Sequence, residues 1–143
     1  METLDSEHGW IVTHLSVIYP WQIDHMDHVN VQFYAALFDQ ATWSFFSEYG
    51  ITRDYLLGTK RGMAALVQHT EYKHELFAGS VIEIMSRLNS VSAKTVTFAH
   101  NMYLRPDHIL VATTELTGVH MDRQKRKSIQ FPDDILLRLK KSL

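Results

Sequence analysis

The chain of 143 residues contains no cysteine. That absence excludes disulfide bonds, thiolate metal ligands and a cysteine nucleophile together. No stretch of apolar residues reaches the length that spans a bilayer. A secretory signal has a basic start and an apolar run, and the acidic, polar stretch from Met1 to His8 has neither. These features predict a soluble, cytoplasmic protein with no membrane partner. One-sided charge is lacking too: the formal net charge is -2, so no nucleic-acid partner is expected. The chain has no Gly-x-Ser-x-Gly elbow and no Gly-x-x-x-x-Gly-Lys loop, which argues against serine-based hydrolysis and a nucleotide phosphate cradle. Repeats, low-complexity tracts and linkers are absent, and the length predicts a single domain over residues 1–143.

What is present is a globular balance, 45% hydrophobic and 21% charged, enough for one core. Trp10 to Trp21 alternates and is rich in β-branched and aromatic residues, predicting a strand ended by Pro20. Asp24 to Asn30 is polar and predicts a loop or tight turn. Asn30 suits a helix N-cap, because its side-chain oxygen can accept from a first-turn N–H. Phe33, Leu37, Phe38, Ala41 and Phe45 then keep helical spacing, and Gly50 supplies a stop. Ala36, Trp43 and Phe46 lie off that stripe and are also apolar, so the helix is expected to be wrapped by other structure. Ile51 to Gly62 predicts a connection with one helical turn around 54–57.

Four further strands are predicted, over 63–77, 81–88, 95–104 and 109–121. The short gaps between them favour antiparallel connections. Residues 132–143 predict a short amphipathic helix with Pro132 at its start. The sum is an α+β arrangement, a five-stranded antiparallel sheet with one long helix. Such a sheet leaves edges and a face to manage, which predicts a homo-oligomer.

The densest chemistry lies in Asp24-His25-Met26-Asp27-His28-Val29-Asn30. Carboxylates, imidazoles and a helix start fall within a few residues, placing an acid/base group beside unpaired backbone N–H donors. That suits acyl hydrolysis. Asp24 could equally be a turn residue bonded to local backbone. A metal site from Asp24, His25, Asp27 and His28 is the sharpest rival, but the cluster lacks helical His-Glu-x-x-His spacing, so no metal is expected. His69, His74, His100, His108 and His120 read as strand or loop residues on solvent or interface faces, with His69 and Glu71 sharing one face. The basic run Arg123-Gln124-Lys125-Arg126-Lys127 reads as a solvated strand end, or as a contact for phosphates helped by Lys94 or Arg105.

Asp24-His25-Met26-Asp27-His28-Val29-Asn30, with Tyr34 four residues on, resembles the start of the hotdog-fold acyl-CoA thioesterases of the 4-hydroxybenzoyl-CoA thioesterase-like branch. That group reads Asp-x-x-Gly-His-Val-Asn-x-x-x-Tyr and leads into a buried helix. Phe77-Ala78-Gly79-Ser80-Val81-Ile82, Ser92-Ala93-Lys94-Thr95-Val96, Met121-Asp122 through Arg126, and Phe131-Pro132 continue the similarity over nearly the whole chain. The resemblance implies a hotdog fold, an antiparallel five-stranded sheet wrapped around one long central helix. It implies an acyl-CoA thioesterase that needs no cofactor and forms dimers or tetramers.

By the same resemblance Asp24 is the nucleophile or general base and the Val31 N–H stabilises the oxyanion; His28 is a catalytic candidate that could instead orient the loop, contact substrate or pack in the core. Candidate substrate contacts are His25, Asn30, Tyr34, Lys94 and Thr95, with Asn30 also read as the helix cap and Tyr34 as either pocket or core, and Phe33 and Leu37 are candidates for the acyl-pocket lining. One oxyanion donor is worth roughly 3–4 kcal/mol of transition-state stabilisation. Two positions depart from the pattern: Asp27 replaces the glycine, and Gln22 stands where relatives carry an acid. Asp tolerates positive φ better than most residues, so the turn is expected to survive. A close second carboxylate at Asp27 would raise the pKa of Asp24. Two other readings remain open, a non-catalytic acyl-CoA or hydrophobic-ligand binding protein and a hotdog hydratase or dehydratase using Asp24 and His28.

Overall fold

The computed structural model describes residues 9–143. In chain order the elements are β1 (Ile11–Val17), a 3-10 turn (Pro20–Gln22), α1 (Val31–Ser47), α2 (Arg53–Thr59), β2 (Arg61–Tyr72), β3 (Val81–Val91), β4 (Thr95–Leu104), β5 (Ile109–Asp122), β6 (Lys127–Ser128) and α3 (Asp133–Lys141). Strands pair antiparallel in the order β1-β3-β4-β5-β2, and β6 adds a two-residue ladder to β5. The sheet therefore has six strands where five were expected, because the polar Lys127-Ser128 pair has no alternation to announce it.

Other boundaries moved for identifiable reasons. β1 stops at Val17, and Pro20 opens a 3-10 turn rather than ending a strand. β2 stops at Tyr72, so Lys73 to Phe77 is a connection and not strand. α2 has seven residues where one turn was expected; the Thr52 side chain caps it by accepting from the Tyr55 N–H. β3 runs on to Val91, with an irregularity in its register beyond Leu88.

β4 shows why one face of the sheet is core. Val96, Phe98, His100 and Met102 are buried, and Thr97, Ala99, Asn101 and Tyr103 between them are half-buried, the period of two of a pleated strand. α1 lies across this face and packs chiefly on β1 and β3. Its first half joins Ile18, Leu76, Ile82, Ile84 and Met102 through Tyr34, Leu37, Phe38 and Ala41. Its second half, with Tyr49 and Ile51, meets Phe98, Leu116 and α3 residues Ile135 and Leu139. Gly50 follows the helix at φ 87, a left-handed conformation, and a Cβ there would lie 2.7 Å from the Arg138 guanidinium.

Two histidines correct the expectation that these residues face solvent or interfaces. His100 and His120 are fully buried. The Thr42 hydroxyl donates to the Phe38 carbonyl, so it accepts from His100 Nε2–H at 2.8 Å. His100 Nδ1 then accepts from the Ser86 hydroxyl, which is 2.7 Å from Thr13 Oγ1. Burial pushes the His100 imidazole down to about 3, so it is neutral. His120 Nδ1–H donates to the Ile129 carbonyl, and Nε2 accepts from Tyr55, pinning α2 to β5. His69, His74 and His108 are exposed as expected.

Candidate active site

The turn before α1 is closed by its own backbone. The Asp24 N–H donates to the His28 carbonyl at 3.1 Å, and the Asp27 N–H to the Asp24 carbonyl at 3.0 Å. Asp27 adopts φ 64, so an aspartate takes the left-handed position usually filled by glycine. The turn survives the substitution. Ile23 and Val29 bridge across its base, and the Val29 N–H donates to the Leu76 carbonyl. This last bond ties the turn to the β2–β3 connection.

Asp24 is held at both oxygens. Oδ2 accepts from Asn30 Nδ2 at 2.9 Å and Oδ1 from the Met26 N–H at 2.8 Å. The Asn30 amide, then the Met26 N–H, hold the carboxyl below its ordinary pKa, and His28 and His25 add to this. The upward push expected from Asp27 does not prevail. Asn30 serves two ends at once, because its Oδ1 also caps α1 by accepting from the Gln32 N–H at 3.1 Å. The N–H just before it, that of Val31 at the first helical position, has no hydrogen-bond partner among the described residues. Gln22, in the place of an acid, is buried; its Oε1 accepts from the Tyr19 N–H and its carbonyl from the Asn30 N–H.

Asp24, His28, Asn30, Val31 and Tyr34 line one open cleft of about 810 Å³. Tyr72, at the end of β2, and Lys73, His74, Glu75 and Phe77 of the connection after it complete the lining. Strand reading of 63–77 concealed that connection; the signal available was the turn at Ala78-Gly79-Ser80 directly after it. Tyr34 and Tyr72 meet edge to face with centroids 5.2 Å apart, and His28 Nδ1 lies 4.0 Å from Glu75 Oε1.

Not every expected residue joins the cleft. His25 is exposed and does not line it. Leu37 is buried in the core and Phe33 packs on Trp21, so of the expected acyl-pocket residues only Tyr34 lines the cleft. Lys94 and Thr95 stand at the other end of the sheet. Thr95 pairs with Val119, whereas Tyr72 pairs with Ala112 and through it lies level with Met102. Seven residues of strand, roughly 20 Å, separate the two levels. Among the described residues no group of three or more His, Asp or Glu side chains is placed to hold a metal ion, and no helix is long and apolar enough to cross a membrane.

Residues 18–139 match the model of the thioesterase-like superfamily. A betainyl-CoA thioesterase of Pseudomonas aeruginosa is 22% identical over 129 residues, spanning 90% of this chain and 81% of the relative. A Staphylococcus aureus hypothetical protein solved in complex with CoA superposes with a TM-score of 0.86 at 20% identity, covering 92% of this chain and 83% of that one. The 1,4-dihydroxy-2-naphthoyl-CoA thioesterase of Synechocystis superposes with a TM-score of 0.79 at 12% identity, covering 90% and 95%. The α+β fold of antiparallel sheet and helices is thus the fold of known thioesterases, and the match over most of its length makes this chain a member of the thioesterase-like superfamily.

Proposed function

We propose that this protein is an acyl-CoA thioesterase of hotdog architecture, with α1 as the helix its sheet wraps and the cleft beside Asp24 as its active site. One observation carries the reading: an anchored carboxylate and a partnerless first-turn N–H border the same cleft, at Asp24 and Val31. The thioester carbonyl sits between them. The Val31 N–H, aided by the helix dipole, stabilises the oxyanion. Asp24, whose pKa is lowered by the Asn30 amide and the Met26 N–H and which is therefore ionised at neutral pH, attacks the carbonyl directly. Attack forms a mixed anhydride and releases coenzyme A as its thiolate; water then splits the anhydride to the free acid and restores Asp24. His28 steadies the turn through its carbonyl and borders the cleft with its ring.

The cleft is open, and β2 is an unpaired edge beside it with Leu66 and Val67 each 60% exposed. A second copy pairing antiparallel along β2 would close the cleft. Centred on Leu66 and Val67, that pairing sets the Arg61 end of one copy against the Tyr72 end of the other. It carries the partner's basic residues, Arg61, Arg123 and Lys94 with Thr95, toward the cleft mouth, where coenzyme A phosphates would lie. The deciding experiment is Asp24→Asn assayed by thiol release from a panel of acyl-CoA esters. A fall of about 10²-fold or more with an unchanged circular dichroism spectrum is expected for loss of the attacking group. Undiminished turnover in the folded variant removes the reading.

A further inference from the structure

Hydrolysis of an anhydride on Asp24 needs a base that Asp24 itself cannot supply. In the acylated enzyme its attacking oxygen is bonded to the acyl carbon, and its carboxyl is the leaving group of the second step. Water attacks slowly until a base takes its proton, and such help is worth about 10²–10⁴-fold.

The cleft holds few groups able to act. Lys73 is a cation with no lone pair, and its ammonium is 3.9 Å from Glu71 Oε1. Burial pushes the Tyr34 phenol up, away from the range of a useful base. Two imidazoles remain in the lining, His28 and His74. The His74 Nδ1–H donates to the Glu75 carbonyl at 2.7 Å, in an exposed side chain. The charges that the Asp24 carboxyl senses are those of His28 and His25, and of these only His28 lines the cleft.

His28 also has a partner. The bond from the Val29 N–H to the Leu76 carbonyl joins the turn to the β2–β3 connection and sets the neighbours of those two residues, His28 and Glu75, side by side. His28 Nδ1 is 4.0 Å from Glu75 Oε1. The Glu75 side chain is 65% exposed, so a small rotation closes that gap to a hydrogen bond, and such contacts tighten when substrate fills a site. A proton held on Nδ1 by the carboxylate leaves Nε2 with the free lone pair.

Resting on the thioesterase reading above, we infer that His28 is the general base of the second step, with Glu75 as its positioning residue. Nε2 takes a proton from water as the water oxygen bonds to the acyl carbon. The bond from that carbon to Asp24 breaks, Asp24 leaves as a carboxylate and the free acid departs. The imidazolium then gives its proton to solvent.

Rapid-quench turnover of benzoyl-CoA and hexanoyl-CoA separates the two steps, with thiol reporting acylation and free acid reporting deacylation. His28→Ala and His28→Gln both keep the backbone carbonyl that holds the Asp24 N–H. Each should release a burst of about one thiol per site and then turn over about 10²-fold more slowly. Intact-protein mass spectrometry should show the acyl adduct, and hydroxylamine should convert it to the hydroxamate. Imidazole in solution should restore turnover in His28→Ala. Glu75→Gln should slow acid release several-fold at an unchanged burst rate, and should add nothing in a His28→Ala background. His28 variants with undiminished acid release overturn the inference, as do variants in which thiol and acid fall together with no adduct. An adduct in His74→Gln and none in His28→Ala overturns it too. These results leave Asp24-dependent hydrolysis, and so the thioesterase reading, standing. Undiminished turnover in Asp24→Asn, or no thiol released by the wild type from either ester, removes that reading and the inference with it.

Discussion

Asn30 links two jobs that are usually separate, capping a helix with one atom and clamping the Asp24 carboxylate with another. Replacing it with alanine removes both. Loss of the cap should cost about 1 kcal/mol of stability. Loss of the amide donor removes the largest cause of the lowered Asp24 pKa. If Asp24 attacks as proposed, the carboxylate it needs exists above that pKa, so the acid limb of the rate profile should move to higher pH in Asn30→Ala. A profile of thiol release against pH checks this, and an acid limb that stays put would show that Asp24 ionisation does not govern the rate. His100 contributes to the acid behaviour of stability. Its ordinary value is 6.5 and its folded value about 3, so between those limits the unfolded chain binds the extra proton. Its contribution is complete above pH 6.5 and is lost as pH falls below it, by up to about 1.4 kcal/mol per pH unit. Urea titrations of wild type and His100→Leu should show the wild-type slope flattened in the variant; equal slopes would place the proton uptake elsewhere.

At the scale of elements, α1 is the axis of both core clusters, and its end is as constrained as its start. Gly50 holds a conformation that an L side chain strains to adopt, and a methyl there collides with the Arg138 guanidinium that α3 brings over it. Gly50→Ala should therefore destabilise by about 1–2 kcal/mol and lower the melting temperature. Thiol release at low temperature should change little, since the residue is far from the Asp24 turn. An unshifted melting curve would mean that α3 does not press on this corner in solution. The helix itself was readable in sequence, because cap, apolar spacing and glycine stop all act within a few residues. β6 and the connection over 73–77 were not, because a two-residue ladder and a strand that stops early are decided by what β5 offers as a partner.

At the scale of the whole molecule, the unresolved tension is an apolar edge beside an open cleft. Long flat edges with exposed Leu and Val invite pairing, and a second copy of β2 is the self-complementary solution. Leu66→Lys with Val67→Lys should convert a dimer to a monomer in sedimentation velocity. Under the pairing proposed above it should also depress thiol release sharply, because the cleft would lose the second copy that closes it. A wild-type chain sedimenting as a monomer at assay concentration, fully active, would remove the shared site.

The local chemistry was written in the order of residues. A turn of Asp24 to Asn30, a capped helix and alternating strands follow from short-range hydrogen bonding and pleat, and the absence of cysteine removed whole classes of mechanism. The tertiary fold decided what faces what. It set Tyr72, Glu75 and Phe77 in one cleft with Asp24 across more than forty residues of chain, sank His100 and His120 into the core, and sent Lys94 and Thr95 to the far end of the sheet. Those outcomes depend on sheet order and on which face α1 covers. Both are settled by burying the apolar surface of the chain as a whole, and no run of neighbouring residues encodes them.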